Sequence, residues 1–292
     1  MAAMCRLRFL GRRTISSIPT AISASAHVSS SGAVRAAPLL RLIDSSLWHS
    51  PEYFALLVGE PDHDAYCVAQ SIRVEGDAHA LCALPFGVGS DPSQPRTHSG
   101  QQPAALLAST WADEVGTSSI TFGAAITTAS GECVAAALRK FVRVSSRERA
   151  PVSWTDEERS RLGEMAAADA AAARALTGAS MLLPAVDRLR EPRAEDVPRS
   201  VFRFPVLPSM LGVGGHFDHA AVLELAGDAH LLGGGSDGGR EGTFFSACIN
   251  HNDVAAVGDI LEAVATANDA RVVTLRNAKT LSTVAIVDFG PR

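Results

Sequence analysis

The chain has 292 residues, 47 % of them hydrophobic, and a formal net charge of −5 at pH 7. That length suffices for two small domains, each with its own core. No stretch approaches the ~20 uninterrupted apolar residues of a membrane-spanning helix, and the acidic balance argues against a nucleic-acid-binding face. Cys5, Cys67, Cys82, Cys133 and Cys248 are scattered, with no CxxC pair. Neither a zinc knuckle nor a disulfide framework is expected from that spacing.

In chain order, residues 1–43 stand apart. They carry Arg6, Arg8, Arg12, Arg13, Arg35 and Arg41, many Ser and Ala, and no acid before Asp44. An arginine-rich, serine-rich, acid-poor start resembles a mitochondrial transit peptide, so the mature protein is expected in the matrix. Loss of the segment through Arg35 moves the formal charge from −5 to about −10.

Residues 65–74 read as a strand, with 79–86 as its hairpin partner and a Gly/Ser/Pro-rich loop over 87–103. The run 104–115 places Leu106, Leu107, Trp111 and Val115 at helical spacing, which predicts a helix. Segments 117–128 and 132–144 read as strands joined by a Ser130-Gly131 turn. Thr155 and Glu158 form a capping box, so a helix is expected to start near Asp156 and to run through the alanine tract to Gly178. Residues 184–200 are charged, carry Pro184, Pro192 and Pro198, and read as a linker.

The second half begins with a strand over 201–209 and a helix over 217–232, stopped by Gly233–Gly239. Four strands follow, at 243–251, 257–267, 271–277 and 281–289. The first half repeats this order in rough form. The expected fold is α+β, with two units that each wrap a curved antiparallel sheet around a helix. The implied boundaries are a leader over 1–43, a first unit over 44–165, a connector over 166–199 and a second unit over 200–292.

The stretch with most chemistry is Gly212 to Asp228. Gly212, Gly214 and Gly215 break a strand and allow backbone to approach a ligand closely. His216, Asp218 and His219 follow at a helix start, where free N–H groups can hold developing negative charge. Glu224 and Asp228 are four apart and share a helical face, in surroundings apolar enough for a base of raised pKa. His219 and His230 lie three turns apart, about 16 Å along a helix, too far to share a metal ion. The Gly233–Gly239 loop lacks a GK[ST] ending and follows a helix, so it is no phosphate loop; Arg240 beside it is a candidate for a phosphate contact.

Gly215-His216-Phe217-Asp218-His219-Ala220-x-Val222-Leu223-Glu224 resembles the GHVNNAxYLE signature of hotdog-fold acyl-CoA and acyl-ACP thioesterases. Val257-Gly258-Asp259-Ile260-Leu261-Glu262-Ala263 resembles the family's VGDxLEV strand start. Ser118-Ser119-Ile120-Thr121-Phe122 through Gly131-Glu132-Cys133-Val134-Ala135 resembles its SS-strand–GE–LA hairpin, and Arg147 through Leu162 is similar to its RxPxxxPDExRxxL tail. The likeness covers roughly 65–165 and 200–290 and implies a tandem hotdog.

The resemblance further implies hydrolysis of an acyl thioester of CoA or a carrier protein without cofactor or metal. Glu224 or Asp218 would activate water, and His216, His219 and Asp228 would assist. Gly214, Gly215 and Phe217 would line the substrate site, with backbone N–H groups near Phe217–His219 on the carbonyl oxygen. A homodimer, or membership of a larger mitochondrial assembly, is the implied association. The sequence departs from the family at Met210, Leu211 and Gly212, where many members carry an aspartate, and at Gly214, where the plant acyl-ACP type has asparagine. His98-Ser99-Gly100-Gln101-Gln102, the matching stretch of the first half, lacks an acid. These departures open two rivals, a catalytically inactive structural subunit and a hydratase of the same fold.

Overall fold

The computed structural model describes residues 7–10, 13–18, 36–48, 57, 62–74, 106–128, 133–148, 150–177, 198–211, 217–232, 243–249, 255–266 and 271–289. The strand expected at 79–86, the 184–197 part of the linker, His98–Gln102, Gly214, Gly215, His216, the Gly233–Gly239 loop and Arg240 lie outside them.

Eleven strands form one antiparallel sheet in the order β1-β2-β4-β5-β6-β3-β8-β11-β10-β9-β7. They are β1 Leu7–Leu10, β2 Arg13–Ile18, β3 His63–Val74, β4 Leu106–Val115, β5 Ser119–Thr128 and β6 Cys133–Ser145 in the first half. The second half supplies β7 Pro198–Pro205, β8 Thr243–Ile249, β9 Ile260–Thr266, β10 Val272–Asn277 and β11 Thr283–Asp288. Helices are α1 Ala36–Trp48, α2 Asp156–Thr177 and α3 His219–Leu232.

The two halves repeat each other strand for strand. The order β2-β4-β5-β6-β3 around α1 matches β7-β9-β10-β11-β8 around α3. The repeats meet where β3 pairs with β8, from Ala69↔Cys248 to Val74↔Thr243. The expected duplication is therefore present, with one reassignment. The first half's helix is α1, which crosses the 43/44 boundary set from composition, and residues 106–115 are strand β4.

Both reassigned segments have a physical reason. In α1, Leu39, Leu40, Ile43 and Leu47 are 0–1 % exposed and form one apolar stripe; Pro38 sits in the first turn, where a missing N–H costs nothing. In β4, Ala108, Ser109, Thr110, Trp111 and Ala112 are all buried. A strand covered on both faces does not alternate, so its apolar spacing mimics a helix. Gly123 of β5 lies opposite Trp111, and a Cβ there would sit 2.2 Å from the indole.

Helix α2 starts as the capping box predicts. The Thr155 N–H donates to Glu158 Oε2 (2.7 Å), and the Glu158 N–H donates to Thr155 Oγ1 (3.2 Å). Both Glu158 carboxylate oxygens also accept from Arg143 Nη1 at 3.0 Å, while the Arg143 guanidinium lies 5.0 Å from the Trp154 ring centre. This ties α2 to β6, and Leu162 anchors it in a core with Phe122, Phe141 and Leu47.

In the second half of the sheet, Glu262 of β9 is buried between its cross-strand neighbours Arg203 and Arg276. Arg203 Nε donates to Oε1 at 2.7 Å and Arg276 Nε to Oε2 at 2.9 Å. Burial pushes this carboxyl up, but the two arginines outweigh it, and its pKa falls below the ordinary 4.5. A depressed folded-state pKa means that the triad stabilises the fold above the ordinary carboxylate range and loses that stabilisation as pH falls through the folded value. Glu262→Gln is expected to lower stability by about 2 kcal/mol at neutral pH. The difference from the parent should disappear in acid, as followed by urea denaturation across pH.

Candidate active site

Helices α1 and α3 pack against each other, α1 over β3 to β6 and α3 over β7 and β9 to β11. Helix α3 is apolar nearly all round. Ala220, Ala221, Val222, Leu223, Leu225, Ala226 and Ala229 are buried, as a helix enclosed by sheet and partner helix requires. Its amino end is set by Asp218, whose Oδ1 accepts from the Ala220 N–H at 3.3 Å and whose carbonyl accepts from the Val222 N–H at 2.9 Å. Phe217 is 4 % exposed and bridges to Leu211. The Asp218 N–H is engaged by the Met210 carbonyl at 2.7 Å, so it is not a donor to substrate.

The second half's residues meet charged groups of the first half here. Arg139 of β6, 3 % exposed, ion-pairs with Asp44 of α1 and donates through Nη2 to His219 Nδ1 at 3.0 Å. Its guanidinium also lies 5.0 Å from the Phe141 ring centre. Arginine can only donate, so Nδ1 is the acceptor and His219 is neutral with its proton on Nε2. In that tautomer Nε2 carries a proton and is not a base. Arg41 of α1 reaches across to Asp218 Oδ2 (3.7 Å) and donates to Glu224 Oε2 (3.1 Å).

The electrostatics are those of a partly desolvated cluster. Burial pushes the Asp44 carboxyl above its ordinary value of 3.8, Asp218 adds to that, and Arg139 and Arg41 oppose without cancelling it. Burial likewise pushes the Cys67 thiol up to about 11. Cys67 is therefore a protonated core residue that donates to the Ala69 carbonyl at 3.4 Å, and no nucleophile.

Of the residues singled out from sequence, Asp218, His219, Glu224 and Phe217 come together at the α3 amino end. Glu224 is part-exposed and faces Arg41 rather than a buried carboxylate pair, and Asp228 is exposed. His230 lies at the other end of the helix, stacked on Phe289 at 4.7 Å. Sequence reading missed Arg41, Asp44 and Arg139. Their signal was present, as an arginine inside the apolar run AAALRKFV and an acid inside the apolar helix LLRLIDSSLW. Among the described residues no cluster of three His, Cys, Asp or Glu could hold a metal ion, and no helix is long and apolar enough to cross a membrane.

Two solved structures share this architecture along nearly their whole length. The 12:0-ACP thioesterase from Umbellularia californica superposes with a TM-score of 0.60 at 11 % identity, over 98 % of this chain and 100 % of that chain. The chain is a tandem hotdog. An acyl-ACP thioesterase from Bacteroides thetaiotaomicron VPI-5482 gives a TM-score of 0.56 at 12 % identity, covering 90 % of this chain and 91 % of that one. At these identities the tandem hotdog shares a fold with both. No protein-family model matches the sequence, and no curated protein matches it by sequence.

Proposed function

We propose that this tandem hotdog hydrolyses an acyl thioester of coenzyme A or of an acyl carrier protein. One observation carries the reading: the α3 amino end brings Asp218, His219 and Glu224 against Arg41, Asp44 and Arg139 at the junction of the two units. The positive end of the α3 dipole favours a developing oxyanion there. Glu224, which is not needed to cap the helix, is the carboxylate assigned to activate water. His216 precedes this turn in sequence and is assigned to orient the substrate. Residence in the mitochondrial matrix, after removal of the basic residues through Arg35, completes the proposal.

Thiol release from an acyl-CoA panel and from acyl-carrier protein tests the reading. Glu224→Gln is expected to reduce release by about a hundredfold or more, as loss of a general base does. A full rate in that variant removes Glu224 from the chemistry. The second reading is a catalytically inactive subunit of a large mitochondrial assembly. It is favoured by Arg41, which engages both candidate carboxylates, and by the missing aspartate at 210–212. Absence of thiol release, together with co-migration in a high-mass complex, decides for it.

A further inference from the structure

Beneath the Arg139–His219 contact lies a polar side chain that the catalytic reading does not use. Gln70 of β3 is the direct cross-strand neighbour of Arg139 on β6. Paired residues of an antiparallel ladder project to the same face, and Arg139 reaches helix residues Asp44 and His219 on that face. Ile72 and Val74, two and four positions further along β3, pack in the same core as α1 and α3. Gln70 therefore lies under the helix pair, on the floor of the candidate site. It is 1 % exposed, and neither its amide nitrogen nor its carbonyl oxygen has a hydrogen-bond partner among the described residues; nor has Arg139 Nε beside it.

A buried amide with both ends unsatisfied opposes folding unless water or a ligand meets it. The type of ligand follows from charge and from hydrogen-bond complementarity. The charge beside Gln70 is the Arg139 guanidinium, and its ion pair with Asp44 already neutralises it. An anion is therefore not favoured there. A primary amide offers one acceptor and two donors. Its complement is a neutral group with both a carbonyl and an N–H, which a secondary amide has and a bare thioester or carboxylate lacks.

We propose that Gln70 is a substrate-binding residue that hydrogen-bonds a secondary amide in the phosphopantetheine arm shared by acyl-CoA and acyl-carrier-protein thioesters. The assignment rests on the thioesterase reading above and adds the residue that recognises the carrier arm rather than the acyl chain. Gln70→Met keeps the length of the side chain and removes both polar ends. Without ligand, the variant is expected to be at least as heat-stable as the parent.

The test uses the full chain and two probes that cannot be hydrolysed. S-octylpantetheine carries both amides of the arm, whereas 2-(octylthio)ethanol keeps the chain and sulfur and lacks them. In calorimetric titration the parent is expected to bind S-octylpantetheine about tenfold more tightly or better, and Gln70→Met to lose that preference. A preserved preference, a lowered Tm in the variant, or no binding of S-octylpantetheine to the parent overturns the proposal. Thiol release from octanoyl-pantetheine separates this inference from hydrolysis itself. Preference without release leaves Gln70 standing and removes the thioesterase reading. Release with an unchanged KM in Gln70→Met does the reverse.

Discussion

Arg139→Met should cost as much stability as emptying a core position. The guanidinium is buried, and its removal leaves Asp44 enclosed without its counter-ion and His219 Nδ1 without its donor. Breaking a buried ion pair from one side costs about 3–5 kcal/mol, against about 5–15 kcal/mol for the whole stability of a typical domain. Because burial already holds the Asp44 pKa above its ordinary value, the orphaned carboxyl is expected to take up a proton rather than remain charged. The variant should then be most stable in mild acid and lose stability as pH rises through that raised pKa. Arg139→Met with Asp44→Leu should recover most of the loss, because two apolar groups of similar size replace the pair. Guanidinium denaturation of the parent, the single and the double variant at two pH values measures all three terms. A single variant as stable as the parent would show that Asp44 and Arg139 are not coupled.

The cluster also explains why the site was only half legible in the sequence. Asp218, His219 and Glu224 lie within one turn and a half of a helix, so a local motif exposes them. Arg139 lies 80 residues before His219 and Asp44 lies 175 before it, both across the junction of two repeats, and only β6 and α1 bring them there. Single-sequence reading sees such a pair only as a charge in apolar surroundings. That signal deserves more weight inside a run such as AAALRKFV, where an unpaired arginine would be prohibitively costly.

The fold was read more fully. Strands β5, β6 and β7 to β11 follow alternation or turn residues and were found close to their observed bounds. Helix α2 announces itself by a capping box, and α3 by length and apolarity. Four elements escaped, and two of them, β1 and β2, lie in the arginine-rich start where no element was expected. Strand β4 is covered on both faces, which erases its period. Helix α1 lies in a basic, acid-poor stretch, where composition argued for a leader although Leu39, Leu40, Ile43 and Leu47 carry a helical apolar stripe. Targeting composition and core periodicity are separate signals, and here they overlap from Ala36 onward.

That overlap fixes the second large effect, which is set by where the chain is cut. Removal of residues through Arg35 spares α1 and should leave a cooperative unfolding transition. The cut also takes β1 and β2, an edge pair whose loss removes no element lying between the two halves. Removal through Trp48 takes α1 with its four fully buried aliphatic side chains. At about 2 kcal/mol for each such side chain, ~8 kcal/mol of apolar burial goes with the helix, comparable to the whole stability of a typical domain. It also strips Arg41 from Asp218 and Glu224 and Asp44 from Arg139, and it uncovers the α3 face that α1 packs against. Near-ultraviolet circular dichroism and thermal melts on the two truncations are expected to give a native-like protein for the shorter cut. For the longer one they should give a chain without fixed tertiary packing. Equal melting of both would mean that the second unit holds α3 in place without its partner helix. The composite site would then lose its physical basis, because every first-half charge on α1 would be dispensable to the fold that positions it.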